Sequence, residues 1–170
     1  MTTPVVAYLA LGSNLGDPVE QLVKACAAIK TIPGIEIIRT SSLYQSLAWG
    51  SDEPQPKYIN AVISIQTSLS AHQLWLATSR IEAAHGRVRD GTRNAARTLD
   101  IDLLLYGDAA IQSADLTLPH PRMHQRDFVL MPLAEIAPNV LIASHGSVSE
   151  CLQHIASTQI RKLGHNSLWN

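Results

Sequence analysis

The sequence is short of cysteine, of rings, of net charge and of long apolar runs. Cys26 and Cys151 are the two cysteines of 170 residues and stand far apart, which excludes the disulfide framework of a small secreted domain and favours a reduced compartment. Thirteen Lys and Arg against fourteen Asp and Glu leave a formal charge of -1. Without a basic excess, a general nucleic-acid or anionic-membrane binder is excluded. Three Trp, four Tyr and one Phe supply little for base-stacking platforms. The apolar run Val5 to Leu11 is too short for a membrane span of about 20 residues, and Met1-Thr2-Thr3-Pro4 lacks the basic flank of a signal peptide. The expectation is a cytoplasmic protein with no membrane or nucleic-acid partner.

What is present is ordinary for a globule: 46% hydrophobic and 16% charged residues in a length suited to one domain over 1–170. Val5 to Leu11 reads as a buried strand ending in the turn Gly12-Ser13-Asn14-Leu15-Gly16, which matches neither a Walker loop nor a dinucleotide fingerprint. Asp17, Pro18 and Glu20 open a helix whose apolar face is Leu22, Ala25, Cys26 and Ile29, with Cys26 as core filler. After Pro33-Gly34, Ile35 to Tyr44 reads as a second strand, 45–57 as an exposed loop and Tyr58 to Ser68 as a third strand. Ser70 and Gln73 form a capping box for a helix that Gly86 stops.

Residues 86–98 have no periodicity and form a long loop, the kind that is usually functional or disordered. Leu99 to Tyr106 is the clearest strand, with Leu99, Ile101, Leu103 and Leu105 on one face and Asp100, Asp102, Leu104 and Tyr106 on the other. Short helices are expected over Phe128 to Glu135 and Ser147 to Ala156. This order predicts an α+β fold, a ferredoxin-like α/β sandwich with a mostly antiparallel sheet and flanking helices.

Two groups of residues point to chemistry. Asp100 and Asp102 project from one face of a strand, about 6 to 7 Å apart. Like charges so placed call for a cation, and hard oxygen ligands suit magnesium better than zinc. Upstream, Arg87, Arg89, Arg93 and Arg97 face only Asp90, and guanidinium forks match phosphate oxygens in pairs. A metal-bound polyphosphate would use both groups; a solvated strand end and a solvated basic loop are the plainer readings. His120, Arg122 and Arg126 could add phosphate contacts. His120 and His124 have i, i+4 spacing, but Pro119 and Pro121 argue against a helical zinc site.

The runs Ala7 to Gly16, Ser41-Ser42-Leu43-Tyr44, Tyr58-Ile59-Asn60-Ala61, Arg97-Thr98-Leu99-Asp100-Ile101-Asp102-Leu103 and Leu118-Pro119-His120-Pro121-Arg122-Met123 resemble, in order, the 6-hydroxymethyl-7,8-dihydropterin pyrophosphokinases of folate biosynthesis. The resemblance implies transfer of diphosphate from ATP to the pterin hydroxymethyl group, giving AMP and the pterin diphosphate ester. It implies that Asp100 and Asp102 hold two magnesium ions, with Arg87 and Arg97 catalytic. Glu82, Arg89, His120 and Arg126 would contact ATP. Tyr58 and Phe128 would stack on the pterin, Asn60 would meet its edge, and the backbone near Ser46 and Trp49 would complete the pocket. A monomer is expected.

One segment departs from the pattern. Asn94-Ala95-Ala96 stands where the family commonly has Trp-Gly-Pro, so Trp49 is the candidate to supply the missing ring. Asp90 stands where a basic residue is frequent. Two other readings stay open on residues alone: a catalytically weakened relative that binds pterin or nucleotide, and another magnesium-dependent enzyme on a similar sheet, such as a nucleotidyl transferase or nuclease.

Overall fold

The computed structural model describes residues 3–47, 55–86, 98–155 and 159–164. In chain order the elements are β1 (Val5–Ser13), α1 (Pro18–Lys30), β2 (Ile35–Thr40), β3 (Leu43–Ser46), β4 (Tyr58–Thr67), α2 (Ala71–Ala84) and β5 (Asp100–Tyr106). A two-strand hairpin of β6 (Ile111–Gln112) and β7 (Thr117–Leu118) leads to a 3-10 turn (Met123–Gln125) and α3 (Asp127–Ile136). A second hairpin, β8 (Leu141–Ile142) and β9 (Gly146–Ser147), is followed by α4 (Val148–Gln153) and β10 (Arg161–Gly164).

The main sheet runs β10-β3-β4-β1-β5, with β2 also paired to β4, and every pairing is antiparallel. Its α1/α2 face buries Ala7, Leu9 and Leu11 of β1 with Ile63 and Ile65 of β4. Against them pack Leu22, Ala25, Cys26 and Ile29 of α1 and Leu74 of α2. Burial pushes the Cys26 thiol up to about 12, as suits a small apolar filler. The opposite face packs Val62 and Leu104 beneath Val129, Leu130 and Leu133 of α3 and Val148 of α4. The expected antiparallel α+β sandwich is therefore present, with helices on both faces of the sheet.

Both helix starts follow their caps. The Asp17 carboxylate accepts the Glu20 N–H at 3.1 Å, and Ser70 and Gln73 exchange both bonds of a capping box. Four sequence expectations need correction. Gly12 and Ser13, assigned to a turn, extend β1. The strand expected over Ile35 to Tyr44 is two strands, because the Ser41 hydroxyl accepts the Val62 N–H at 2.9 Å and breaks the ladder. Gln45 and Ser46, assigned to the loop, extend β3. In β5 the register slips between its Tyr8 and Leu9 partners, leaving Leu104 as an extra residue. That bulge moves Leu105 to the α3 face and turns Tyr106 to the other, where its hydroxyl bonds the Leu69 carbonyl. β10 and the two hairpins carry no alternating pattern and escape sequence reading.

Glu135 near the end of α3 ties the second layer to the sheet edge. Its carboxylate accepts bonds from the Ser42 N–H (2.9 Å), the Ser42 hydroxyl (3.0 Å) and the Tyr44 hydroxyl (2.7 Å), with Lys162 Nζ at 3.7 Å. Burial opposes ionisation, but these donors outweigh it and hold the Glu135 carboxyl below its ordinary pKa. Removing it leaves Ser42 and Tyr44 donors without their partner. Glu135→Ala is expected to lower the free energy of unfolding by about 2 to 3 kcal/mol, and Tyr44→Phe by about 1 kcal/mol, in urea titrations.

Candidate active site

The register of the sheet builds the floor of the site. Gly12 of β1 lies opposite Asn60 of β4 on one side and opposite Asp100 of β5 on the other. Ala10 lies likewise between Val62 and Asp102. These positions share the α3 face of the sheet, so Asn60 and Asp100 stand two strand spacings apart, about 10 Å, across bare glycine. The start of α3 brings Arg126 and Phe128 over this floor, and the end of β3 adds Ser46. Together they line a cleft of about 290 Å³ that holds Ser46, Tyr58, Asn60, Asp100, Asp102, His120, Arg126 and Phe128.

With Arg122, which also lines it, nine of the residues singled out in the sequence thus converge on one space. Glu82 is elsewhere: it is buried in α2, where its carboxylate accepts the Ile101 N–H at 2.9 Å. It is no solvated helix carboxylate. β5 is the sheet edge, and Glu82 satisfies an outward amide lying between Asp100 and Asp102. Arg87, Arg89, Arg97 and Trp49, with Arg93 and the Asn94-Ala95-Ala96 segment, lie outside the described residues.

At the ring end, the Asn60 amide donates to the Ser46 hydroxyl at 2.7 Å, which orients the group and leaves its carbonyl oxygen and second N–H for a ligand edge. Asn14 at the end of β1 donates to the Gln55 side chain and the Pro56 carbonyl, both at 3.1 Å. It so ties the approach to Tyr58 onto β1. At the other end Arg126 Nη1 lies 3.9 Å from an Asp102 oxygen, and its guanidinium sits 5.6 Å from the centre of the Phe128 ring. One cation thereby links the carboxylate end to the aromatic end.

His120 is held by its backbone, whose N–H donates to the carbonyl of the bulged Leu104 at 2.9 Å. Its ring Nδ1 accepts the Arg122 N–H at 3.2 Å, so in the neutral ring the proton sits on Nε2 and can be donated. Burial first, then Arg126 and Arg122, lower its pKa to about 4 against the pull of Asp100. His124 does not join it: its ring stacks on His145 with centroids 3.6 Å apart.

The pair of hard carboxylates fits magnesium, which binds one or two carboxylates and keeps water and phosphate for its other positions. Among the described residues no three His, Cys, Asp or Glu form a metal-holding group. An ion at Asp100 and Asp102 would leave most of its positions to substrate phosphate and water, as magnesium does.

The family model for 7,8-dihydro-6-hydroxymethylpterin-pyrophosphokinase matches residues 8–138. The chain belongs to that family. The pyrophosphokinase match is supported by 2-amino-4-hydroxy-6-hydroxymethyldihydropteridine pyrophosphokinase of Haemophilus influenzae, 44% identical over 159 residues, covering 94% of this chain and 98% of the relative. The enzyme of that name from Synechocystis sp. is 45% identical over 133 residues, covering 78% of this chain and 67% of the relative. Among solved structures, a Plasmodium falciparum HPPK-DHPS triple mutant with SDX-DHP superposes with a TM-score of 0.72 at 13% identity over 89% of this chain. At that identity the likeness concerns the fold, and this chain spans 44% of that one.

Sequence reading missed the floor residues Ala10 and Gly12, although small residues at alternate positions of a bulky strand were a usable signal. It also missed Asn14 as a tether. Among the described residues no helix is long and apolar enough to cross a membrane.

The His120 shift sets a pH dependence. The unfolded chain takes up this proton near pH 6.5, the folded chain near 4. The stability drawn from a neutral ring is complete above the unfolded value and is lost as pH falls through this window. The melting temperature of the wild type is expected to drop more steeply from pH 7 to 4 than that of His120→Asn. Parallel curves would mean that the ring is not held neutral.

Proposed function

We propose that the chain transfers the terminal diphosphate of ATP to the hydroxymethyl group of 6-hydroxymethyl-7,8-dihydropterin, releasing AMP, in tetrahydrofolate biosynthesis. The observation that carries this reading is the single cleft in which a ring-binding end and a carboxylate end face each other across Gly12. Tyr58 and Phe128 offer rings to a flat heterocycle, and Asn60 offers both a donor and an acceptor to its edge. Ser46 holds Asn60 in place, and Trp49 is assigned a further contact with the pterin.

At the other end Asp100 and Asp102 would hold two magnesium ions, which would supply charge neutralisation for the phosphates and a lowered pKa for the attacking hydroxyl. His120 donates from Nε2 to a phosphate oxygen, and Arg126 leaves Asp102 for the phosphates. Arg87 and Arg97 stabilise charge on the transferred group and Arg89 is a further phosphate contact, while Glu82 steadies the strand that carries both aspartates. The pterin hydroxyl oxygen bonds to the β-phosphorus as the bond to the α,β-bridging oxygen breaks, and the hydroxyl proton passes to solvent. Phosphoryl transfer of this kind needs positioning and charge stabilisation more than covalent help. The chain works as a monomeric, cytoplasmic, single-domain enzyme.

The test is AMP formation from ATP, magnesium and the pterin. AMP is expected only with pterin present and is expected to fall by about 100-fold or more in Asp102→Ala. Pterin binding without AMP would favour a binding module instead. Gly12→Ala probes the floor, since a Cβ there would lie 3.3 Å from the Asn60 carbonyl oxygen and 3.7 Å from the Tyr58 ring. It is expected to raise KM for the pterin about tenfold while leaving KM for ATP nearly unchanged. Equal effects on both substrates would place the pterin elsewhere.

A further inference from the structure

We infer that Glu135 is a positioning residue for the pterin: by holding the Tyr44 hydroxyl it fixes Tyr44 beside Asn60, and so sets the amide that meets the ring edge. This rests on the reading above, which puts that edge at Asn60. Tyr44 of β3 and Asn60 of β4 are direct cross-strand partners, a placement that brings Cβ atoms to about 5 Å. Both point to the α3 side of the sheet, since the Tyr44 hydroxyl reaches Glu135 at 2.7 Å and Asn60 lines the cleft. Neither Glu135 nor Tyr44 lines that cleft, so their effect on a ligand passes through Asn60.

Among the described residues the Asn60 amide makes one hydrogen bond, to the Ser46 hydroxyl at 2.7 Å. A single bond to a hydroxyl fixes a distance and leaves the amide plane free to turn about it. Such a turn exchanges donor for acceptor along the ligand edge, and an edge met by the wrong group leaves buried polar atoms unpaired. Packing has to settle the plane. The group packed across the strand is Tyr44, itself buried.

The place of the Tyr44 ring is set in turn by Glu135. One carboxylate oxygen, Oε2, takes the Ser42 N–H and the Ser42 hydroxyl, while Oε1 takes the Tyr44 hydroxyl. The carboxylate cannot rotate without losing bonds on both sides. The apolar underside of α3, with Val129, Leu130 and Leu133, already holds the helix to the sheet, but that attraction is non-directional. Glu135 adds what burial does not supply, a fixed place for one ring. Its donors keep it ionised, so it acts as an acceptor alone and keeps this arrangement at neutral pH.

The experiment titrates the pterin, by calorimetry, into protein holding magnesium and α,β-methylene ATP, and titrates that nucleotide separately. The proteins are wild type, Tyr44→Phe, Glu135→Gln, Asn60→Ala and the two doubles with Asn60→Ala. Tyr44→Phe and Glu135→Gln are each expected to weaken pterin binding about fivefold and to leave nucleotide affinity within about twofold. In the Asn60→Ala background the same substitutions are expected to change pterin affinity by less than about twofold. The Asn60 side-chain amide signals in NMR spectra of the ligand-free protein, assigned by their loss in Asn60→Ala, are expected to shift in Tyr44→Phe and Glu135→Gln. Unchanged pterin affinity, equal weakening with and without Asn60, equal loss for both ligands, or amide signals that stay in place overturns the proposal. Wild type that fails to bind the pterin overturns the reading of the substrate, and the amide signals then decide alone whether Glu135 sets Asn60.

Discussion

The site is organised around the open edge of β5. An edge strand has backbone donors and acceptors with no neighbouring strand to satisfy them, and such groups must find other partners. Here the Ile101 N–H goes to the Glu82 carboxylate and the Leu104 carbonyl takes the His120 N–H. Those two bonds bracket Asp102 in the chain and bring α2 and the segment after β7 to the same strand. The bulge at Leu104 is part of the arrangement, because the extra residue is the one whose carbonyl fastens His120. A regular, fully paired β5 would have neither anchor, and its aspartates would project from an interior strand with no histidine or helix beside them.

A second constraint keeps the opposite wall in place. α3 lies over the sheet with its first turn at the cleft and its last turn at Glu135, whose carboxylate holds Ser42 and Tyr44. Tyr44 and Ser46 are both on β3, and Ser46 orients Asn60. One carboxylate remote from the chemistry therefore links the helix that carries Phe128 to the strand that sets Asn60. The cation of Arg126, between Asp102 and Phe128, joins the two ends of the cleft more loosely.

Much of this was readable from local sequence. The caps at Asp17 and Ser70, the apolar face of α1 and the aspartate pair on β5 depend on neighbours within a few residues, where spacing carries the information. Phe128, Tyr58 and Asn60 were reached through resemblance in short motifs, since nothing in their own spacing brings β4 beside α3. What stayed hidden depends on contacts across the chain. The break at Ser41 needs the Val62 amide, the burial of Glu82 needs the edge of β5, and the reversal of Leu105 needs a bulge that strict alternation does not foresee. Ala10 and Gly12 show the same limit: a small residue becomes a floor only when the strands on both sides are known.

The charge balance of the site follows from the same contacts. Burial keeps His120 neutral at ordinary pH, so among the described residues lining the first cleft the cations are Arg122 and Arg126 and the anions Asp100 and Asp102. Those four nearly cancel. A triphosphate brought there would add several negative charges that two guanidiniums, one of them already 3.9 Å from a carboxylate of Asp102, would not offset. On the proposed function, the remaining positive charge would come from metal at the two aspartates and from the sequence segment holding Arg87, Arg89, Arg93 and Arg97. A neutral histidine donating from Nε2 can then order the phosphates without adding a fixed charge that would bind product as tightly as substrate.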